Sequence, residues 1–306
     1  MPNDKDLHTV VVDALELHAS YALPLLNLGS PARRLVVASG NAFPTGKIIF
    51  QDEDAIIKDE GQYQEALAQI SSIDGAVVIS ASGEKHAPTI TQNLLDRGLD
   101  TYLLTCDANS SAAKLLPRDH VFETRSNKEP VTYNTSTYMG MILAKTKEDP
   151  SEILKHIMLH IDTQLPANLG DYKAFTFIVP PEFDLIREML YTKDDELFYP
   201  KIAIRSYTSE HMRHAKNVVA SDDELFITLG FRNQLFGAPH ARWDVPLFEG
   251  AGYAAVMAIG YYIIGKIQES NQPYFHNNSA AFEAFQRDKL FDQKFFDDHF
   301  TRYETQ

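Results

Sequence analysis

Short apolar runs alternate along the first half of the chain with longer stretches in which apolar residues return every three or four positions. Leu35-Val36-Val37-Ala38, Ala76-Val77-Val78-Ile79 and Tyr102-Leu103-Leu104-Thr105 have the length and continuity of strands buried on both faces, and His120-Val121-Phe122-Glu123 that of a short edge strand. Helices are predicted between them and over 135–144 and 151–165. In the last of these Ile153, Leu154, Ile157, Met158 and Ile161 recur at helical spacing. Strands separated by helices build a mostly parallel sheet, so the class expected is α/β.

At Leu165-Pro166-Ala167-Asn168-Leu169-Gly170 turn-forming residues interrupt the pattern, and Phe175-Thr176-Phe177-Ile178-Val179 restarts it. The second half is predicted to repeat the order of the first: strand 175–179, helix 183–191, strand 201–204, short helix 210–214, strand 224–228. The expected division is an N-terminal domain over 1–168 and a C-terminal domain over 169–306 with a helical tail. That tail, 282–303, is dense in Phe and Asp and reads either as a packed terminal helix or as an acidic partner-binding segment.

Composition narrows the function class. With 44% hydrophobic and 23% charged residues, the 306-residue chain can bury a core, which excludes wholesale disorder. Its net charge of −14 repels nucleic acid and anionic membranes, so neither is an expected partner. The lone cysteine, Cys106, cannot form an intramolecular disulfide and sits in an apolar run, as in a reducing compartment. Residues 1–6 lack the basic start and apolar stretch of a signal peptide, and no run approaches about 20 apolar residues. The expected location is the cytoplasm.

In a parallel sheet, ligands bind beyond the carboxyl ends of the strands, where helix N-termini present free N–H groups. Two loops qualify. The first, Ala38-Ser39-Gly40-Asn41-Ala42-Phe43-Pro44-Thr45-Gly46-Lys47, fails as a nucleotide P-loop. Five residues separate its glycines where four are needed, and Ile48 replaces the Mg²⁺-binding hydroxyl. No GxGxxG follows a strand, and no cofactor is expected. The second loop, Ile79-Ser80-Ala81-Ser82-Gly83-Glu84, leads from a strand toward a helix starting near Pro88, with Lys85 beside it. Two hydroxyls, a glycine and a helix start can cradle a phosphate, although the same residues can form a plain strand-to-helix turn with a serine cap. His211 and His214 have no third ligand at suggestive spacing, so no metal is expected.

The second loop resembles the signature of the sugar isomerase (SIS) domain, a flavodoxin-like module that binds phosphosugars. Ala38-Ser39-Gly40-Asn41-Ala42 resembles the family's first phosphosugar loop, and Asn134-Thr135-Ser136-Thr137-Tyr138 stands where its Ser/Thr-rich helix start lies. In the second half, Lys193-Asp194-Asp195-Glu196, then Tyr207, then Met212-Arg213-His214 resembles segments of the isomerase half of glucosamine-6-phosphate synthase. The resemblance implies two flavodoxin-like SIS subdomains in tandem over residues 30–275, and a homodimer with a site at the subunit boundary.

It also implies residue roles. A sugar phosphate would be bound by Ser80, Ser82, Gly83 and Lys85, with Gly40, Asn41, Thr135 and Ser136 around it. Moving a proton between C1 and C2 through an enediol needs a base, donors for the developing oxyanion and an anchor for the far end of the sugar. Glu196 resembles the proton-shuttling carboxylate, His214 the ring-opening histidine, and Lys193 a Schiff-base or electrostatic lysine. Read without the family, Glu196 is equally a solvated charge, His214 a histidine capping its own turn and Lys193 an exposed surface cation. The chain departs from the pattern at three places. Lys85 stands for a Thr, Ala42 for a Ser, and Asn278 for the lysine expected after Asn271-Gln272-Pro273. Two readings follow: an aldose–ketose isomerase or amino-sugar-phosphate deaminase, or a sugar-phosphate sensor without chemistry.

Overall fold

A computed structural model describes residues 5–130, 132–198, 200–215 and 218–271, with 278, 294, 295 and 298; most of the 282–303 tail lies outside them. An N-terminal helix, α1 (Leu7–Ala19), precedes a first run of alternating elements: β1 (Arg34–Ala38), α2 (Ala42–Ile49), β2 (Ala55–Lys58), α3 (Tyr63–Gln69), β3 (Gly75–Ile79), α4 (His86–Asp96), β4 (Asp100–Thr105), β5 (Val121–Glu123), α5 (Thr135–Thr146) and α6 (Pro150–His156). A π-helical turn over Ile157–Ile161 extends α6 along the segment expected to be helical. The second run is β6 (Ala174–Val179), α7 (Ile186–Leu197), β7 (Ala203–Thr208), α8 (Ser209–Met212), β8 (Glu224–Leu229), β9 (Arg242–Val245) and α9 (Tyr253–Ser270).

All strands pair in parallel, as buried apolar runs joined by helical crossovers must. The first sheet has the order β2-β1-β3-β4-β5 and the second β7-β6-β8-β9. Both therefore reverse direction beside their first strand, which opens a crevice between β1 and β3 and another between β6 and β8. Two readings shift: the strand expected over 201–204 runs from Ala203 to Thr208, and the helix expected over 183–191 runs from Ile186 to Leu197.

Alternation along β1 sorts its side chains into two layers. Leu35 and Val37 face α3 and α4 with Tyr63, Ile90 and Leu94. Val36 and Ala38 face a larger core shared with Phe175, Phe177 and Val179 of β6, and with α1, α2, α5, α7 and α9. The central helices thus lie between two sheets. α9 is buried continuously from Tyr253 through Gly265, the pattern of a helix apolar on every side. The apolar residues of α9 are thus covered within this chain. Among the described residues, no helix is long and apolar enough to cross a membrane.

Candidate functional site

The β1/β3 crevice holds the two loops singled out above. After β1, Gly40 takes a left-handed backbone (φ +56°) that lets the chain turn from strand to α2 within four residues. After β3, the Ser80 hydroxyl oxygen accepts the Gly83 N–H at 3.1 Å and the Ser82 oxygen accepts that of Glu84 at 3.3 Å, so the serines shape the loop they decorate. Gly83 is also left-handed (φ +63°), and a Cβ there would lie 2.1 Å from the Ser110 hydroxyl. The β4–β5 connection backs the loop further: the Gly83 carbonyl accepts the Ala112 N–H, and the Glu84 carboxylate accepts that of Ser111. Lys85, immediately before α4, has φ +58° and ψ −111°, a conformation costly for a residue with a side chain.

These loops line a cavity of about 230 Å³ whose polar lining residues include Ser39, Ser80, Ser82, Lys85, His86 and Asn134 together with the acidic Glu60 and Glu84. Tyr138 forms part of its wall. Ala42 lines it where the family pattern has a serine, so no hydroxyl is presented from this position.

Lys193 and Glu196 project from one face of α7, three residues apart. Lys193 is fully buried, its ammonium 2.5 Å from Glu196 Oε2 and donating at 2.8 Å to the Tyr133 carbonyl, between the rings of Tyr133 and Tyr261. The other carboxylate oxygen of Glu196 accepts the Asn41 amide N–H at 3.1 Å. Burial pushes the Glu196 carboxyl up, against the pull of Lys193 and Asn41. The surface reading of this pair gives way: an ammonium at 0% exposure persists because a carboxylate and a carbonyl receive it. Tyr138 links the pair to the cavity, lying in its wall and within the field of Glu196.

The remaining expected residues fall elsewhere. Thr135 and Ser136 are fully buried and are not among the residues lining this cavity; their backbone N–H groups donate to the Glu129 carboxylate at 2.6 and 2.7 Å, so a side chain of this protein fills the anion position at the start of α5. Burial raises the Glu129 carboxyl, with those two amides opposing. Gly40 and Gly83 shape the loops without lining the cavity. His214 is exposed just beyond α8 and is not among the residues that line the cavity or contact Glu196. Sequence reasoning passed over Glu129 and Tyr133. An acidic residue six positions before a helix start is the signal that could have found the first; the second had none.

No family model matches the chain, and no curated protein matches its sequence. Solved structures do. The C-terminal domain of glucosamine-fructose-6-phosphate aminotransferase from Francisella tularensis superposes with TM-score 0.60 at 12% identity, over 87% of this chain and 94% of that one. Glucosamine-6-phosphate deaminase from Thermotoga maritima gives 0.59 at 16% identity over 86% and 91%. Tagatose-6-phosphate ketose/aldose isomerase from Escherichia coli gives 0.55 at 12% over 87% and 89%. The expected α/β architecture, two parallel sheets flanked by helices, is thus the fold these proteins share with this chain.

Proposed function

We propose that this protein binds a hexose or hexosamine 6-phosphate and moves a proton between adjacent carbons of the sugar, as an aldose–ketose isomerase or an amino-sugar-phosphate deaminase. One observation carries the reading: Glu196, a carboxylate with a donor on each oxygen, is held by Asn41 of the loop after β1, and the loops after β1 and β3 together line one cavity in the β1/β3 crevice. The names of the structural neighbours agree with it in substrate class.

In this reading the phosphate lies on the loop 80–85, where Ser80 and Ser82 hydroxyls, backbone amides and the Lys85 ammonium meet its oxygens. Its binding energy holds the far end of the sugar in place. Glu196 takes the proton from C2 and returns it at C1; a carboxyl raised by burial is better matched to that transfer near neutral pH than a solvated one. Lys193, enclosed and committed to Glu196 and the Tyr133 carbonyl, acts electrostatically and not as a Schiff base. His214 joins the chemistry only if a second copy brings it in. We propose a homodimer on that ground and a cytoplasmic location on the cysteine usage. A solution mass near 34.5 kDa at all concentrations would remove the shared-site role of His214.

The sensor reading rests on Ala42 and Asn278, positions where donors to the ligand are missing. Solvent-deuterium wash-in at C2 of fructose 6-phosphate or glucosamine 6-phosphate separates the two. Glu196→Gln should lower exchange about 10²–10⁴-fold while sugar-phosphate binding persists, since an amide keeps the shape but accepts no proton. Ser82→Ala should weaken binding instead. Wild-type protein that binds these sugars yet exchanges no deuterium and releases no ammonia is the sensor.

A further inference from the structure

Asn41 occupies the N-cap of α2, where an asparagine oxygen ordinarily accepts a backbone N–H of the first helical turn. It makes no such bond. Its amide nitrogen instead donates to Glu196 Oε1, 155 residues away in the chain, while its carboxamide oxygen is buried with no hydrogen-bond partner among the described residues. The carboxylate fixes this orientation, because the opposite flip would set oxygen against oxygen. A side chain that forgoes its cap and leaves a buried acceptor unpaired at 6% exposure is poorly explained by helix stability alone.

We propose that Asn41 is a positioning residue for Glu196, holding the carboxylate oriented and ionised between two donors. This rests on the role given to Glu196 above. The lever is built into the helices. α2 and α7 pack together, and the Lys47 ammonium, lying over the Phe43 ring, reaches Glu188 at 2.7 Å two turns before Glu196. That bridge fixes the register in which Asn41 meets Glu196. Lys193 holds Oε2 and Asn41 holds Oε1, so rotation of the carboxyl breaks a bond at either end.

The groups that set the Glu196 charge come from several elements. Lys193 and Asp195 lie on its own helix, Tyr133 and Tyr138 at the start of α5, Tyr261 on α9, and Asn41 on α2. The tyrosines stay neutral, since burial raises all three phenols. Lys193 and Asn41 are therefore what opposes burial, and loss of Asn41 should move the titration of Glu196 upward.

The test is a carbon-NMR titration of protein labelled at glutamate Cδ, with the Glu196 signal assigned by its loss in Glu196→Gln. Asn41→Leu removes the donor, and Asn41→Asp keeps the shape while replacing the donor with a second carboxylate. The expected midpoints rise from wild type to Asn41→Leu to Asn41→Asp, the first step being on the order of half a pH unit or more. With fructose 6-phosphate as probe, deuterium exchange should lose about 10–100-fold in kcat with KM little changed, and its acidic limb should move up with the NMR midpoint. Unchanged midpoints in both variants overturn the proposal. So does a raised KM at unchanged kcat, which would make Asn41 a plain ligand contact. Wild type without exchange would refute the isomerase or deaminase reading, while the NMR titration would still decide whether Asn41 controls Glu196.

Discussion

A single helical turn of α7 carries three acidic side chains with three different environments. Asp195 is exposed, Glu196 is enclosed with its partners, and Asp194 is half-buried with one carboxylate oxygen unpaired. Burial pushes the Asp194 carboxyl up from 3.8 to about 6, with the Ile204 backbone opposing and Asp195 adding repulsion. The folded chain therefore holds this proton more tightly than the unfolded one. The group is neutral in both states at low pH, and it subtracts stability as pH rises through 3.8 toward 6 and above. Asp194→Asn should accordingly raise Tm at about pH 7.5 and change it little at about pH 3.5; an equal shift at both values would mean that shape, not charge, matters there. None of this could be read from the run Lys193-Asp194-Asp195-Glu196, which looks uniformly solvated in one dimension. The family resemblance marks Lys193 and Glu196, but Lys193 is enclosed by Tyr133 and Tyr261, which arrive from distant elements.

At the scale of elements, legibility follows how completely a segment is buried. The strands near 36, 77, 103, 176 and 226 were apparent because both faces of each meet a core. β2, four half-buried residues among acidic ones at a sheet edge, was not. α1 carries its helical periodicity openly in the sequence, with Leu7, Val10, Val11, Ala14, Leu15 and His18 all buried. Helix crossings were hidden for a physical reason. They depend on single small residues whose importance lies in the partner. Gly265 is the sharpest case: a Cβ on α9 would sit 1.9 Å from the backbone nitrogen of His8, where no side chain can yield. Gly265→Ala should therefore force α1 off α9 and cost about 1–3 kcal/mol or more by urea unfolding, with the loss shared by any variant that pries the same crossing apart. Gly83→Ala acts locally instead, because left-handed backbone and the Ser110 hydroxyl both reject a methyl group. Its expected signature is weakened binding of glucosamine 6-phosphate with a modest fall in Tm, and a large fall in Tm without a binding defect would show that the loop supports the fold more than the ligand.

Over the whole molecule, the division we propose near residue 168 separates two sheets in sequence but not in packing. One continuous core joins Val36, Val77 and Ile79 of the first sheet to Phe175, Phe177 and Ile227 of the second. The N-terminal helix strengthens that union: α1 packs on α5 and α6 of the first run and on α9 at the end of the second, and the Leu7 N–H donates to Gln268, whose side chain also bonds the Tyr133 hydroxyl. Polar ties cross as well, from Asn41 to Glu196 and from Lys47 to Glu188. Separate folding would require each half to expose the face it now buries against the other, a loss neither could recover from contacts of its own. The expected outcome is one cooperative transition. Calorimetric and van't Hoff enthalpies should agree, and tryptophan fluorescence from Trp243 in the second sheet should change together with the circular dichroism of the whole chain. Removal of residues 1–20 should destabilise both sheets together, although no residue of α1 lies in either. Two resolved transitions, or a truncated chain in which the second sheet keeps its midpoint, would mean that the halves are independent folding units and that the Asn41–Glu196 contact joins two bodies free to move.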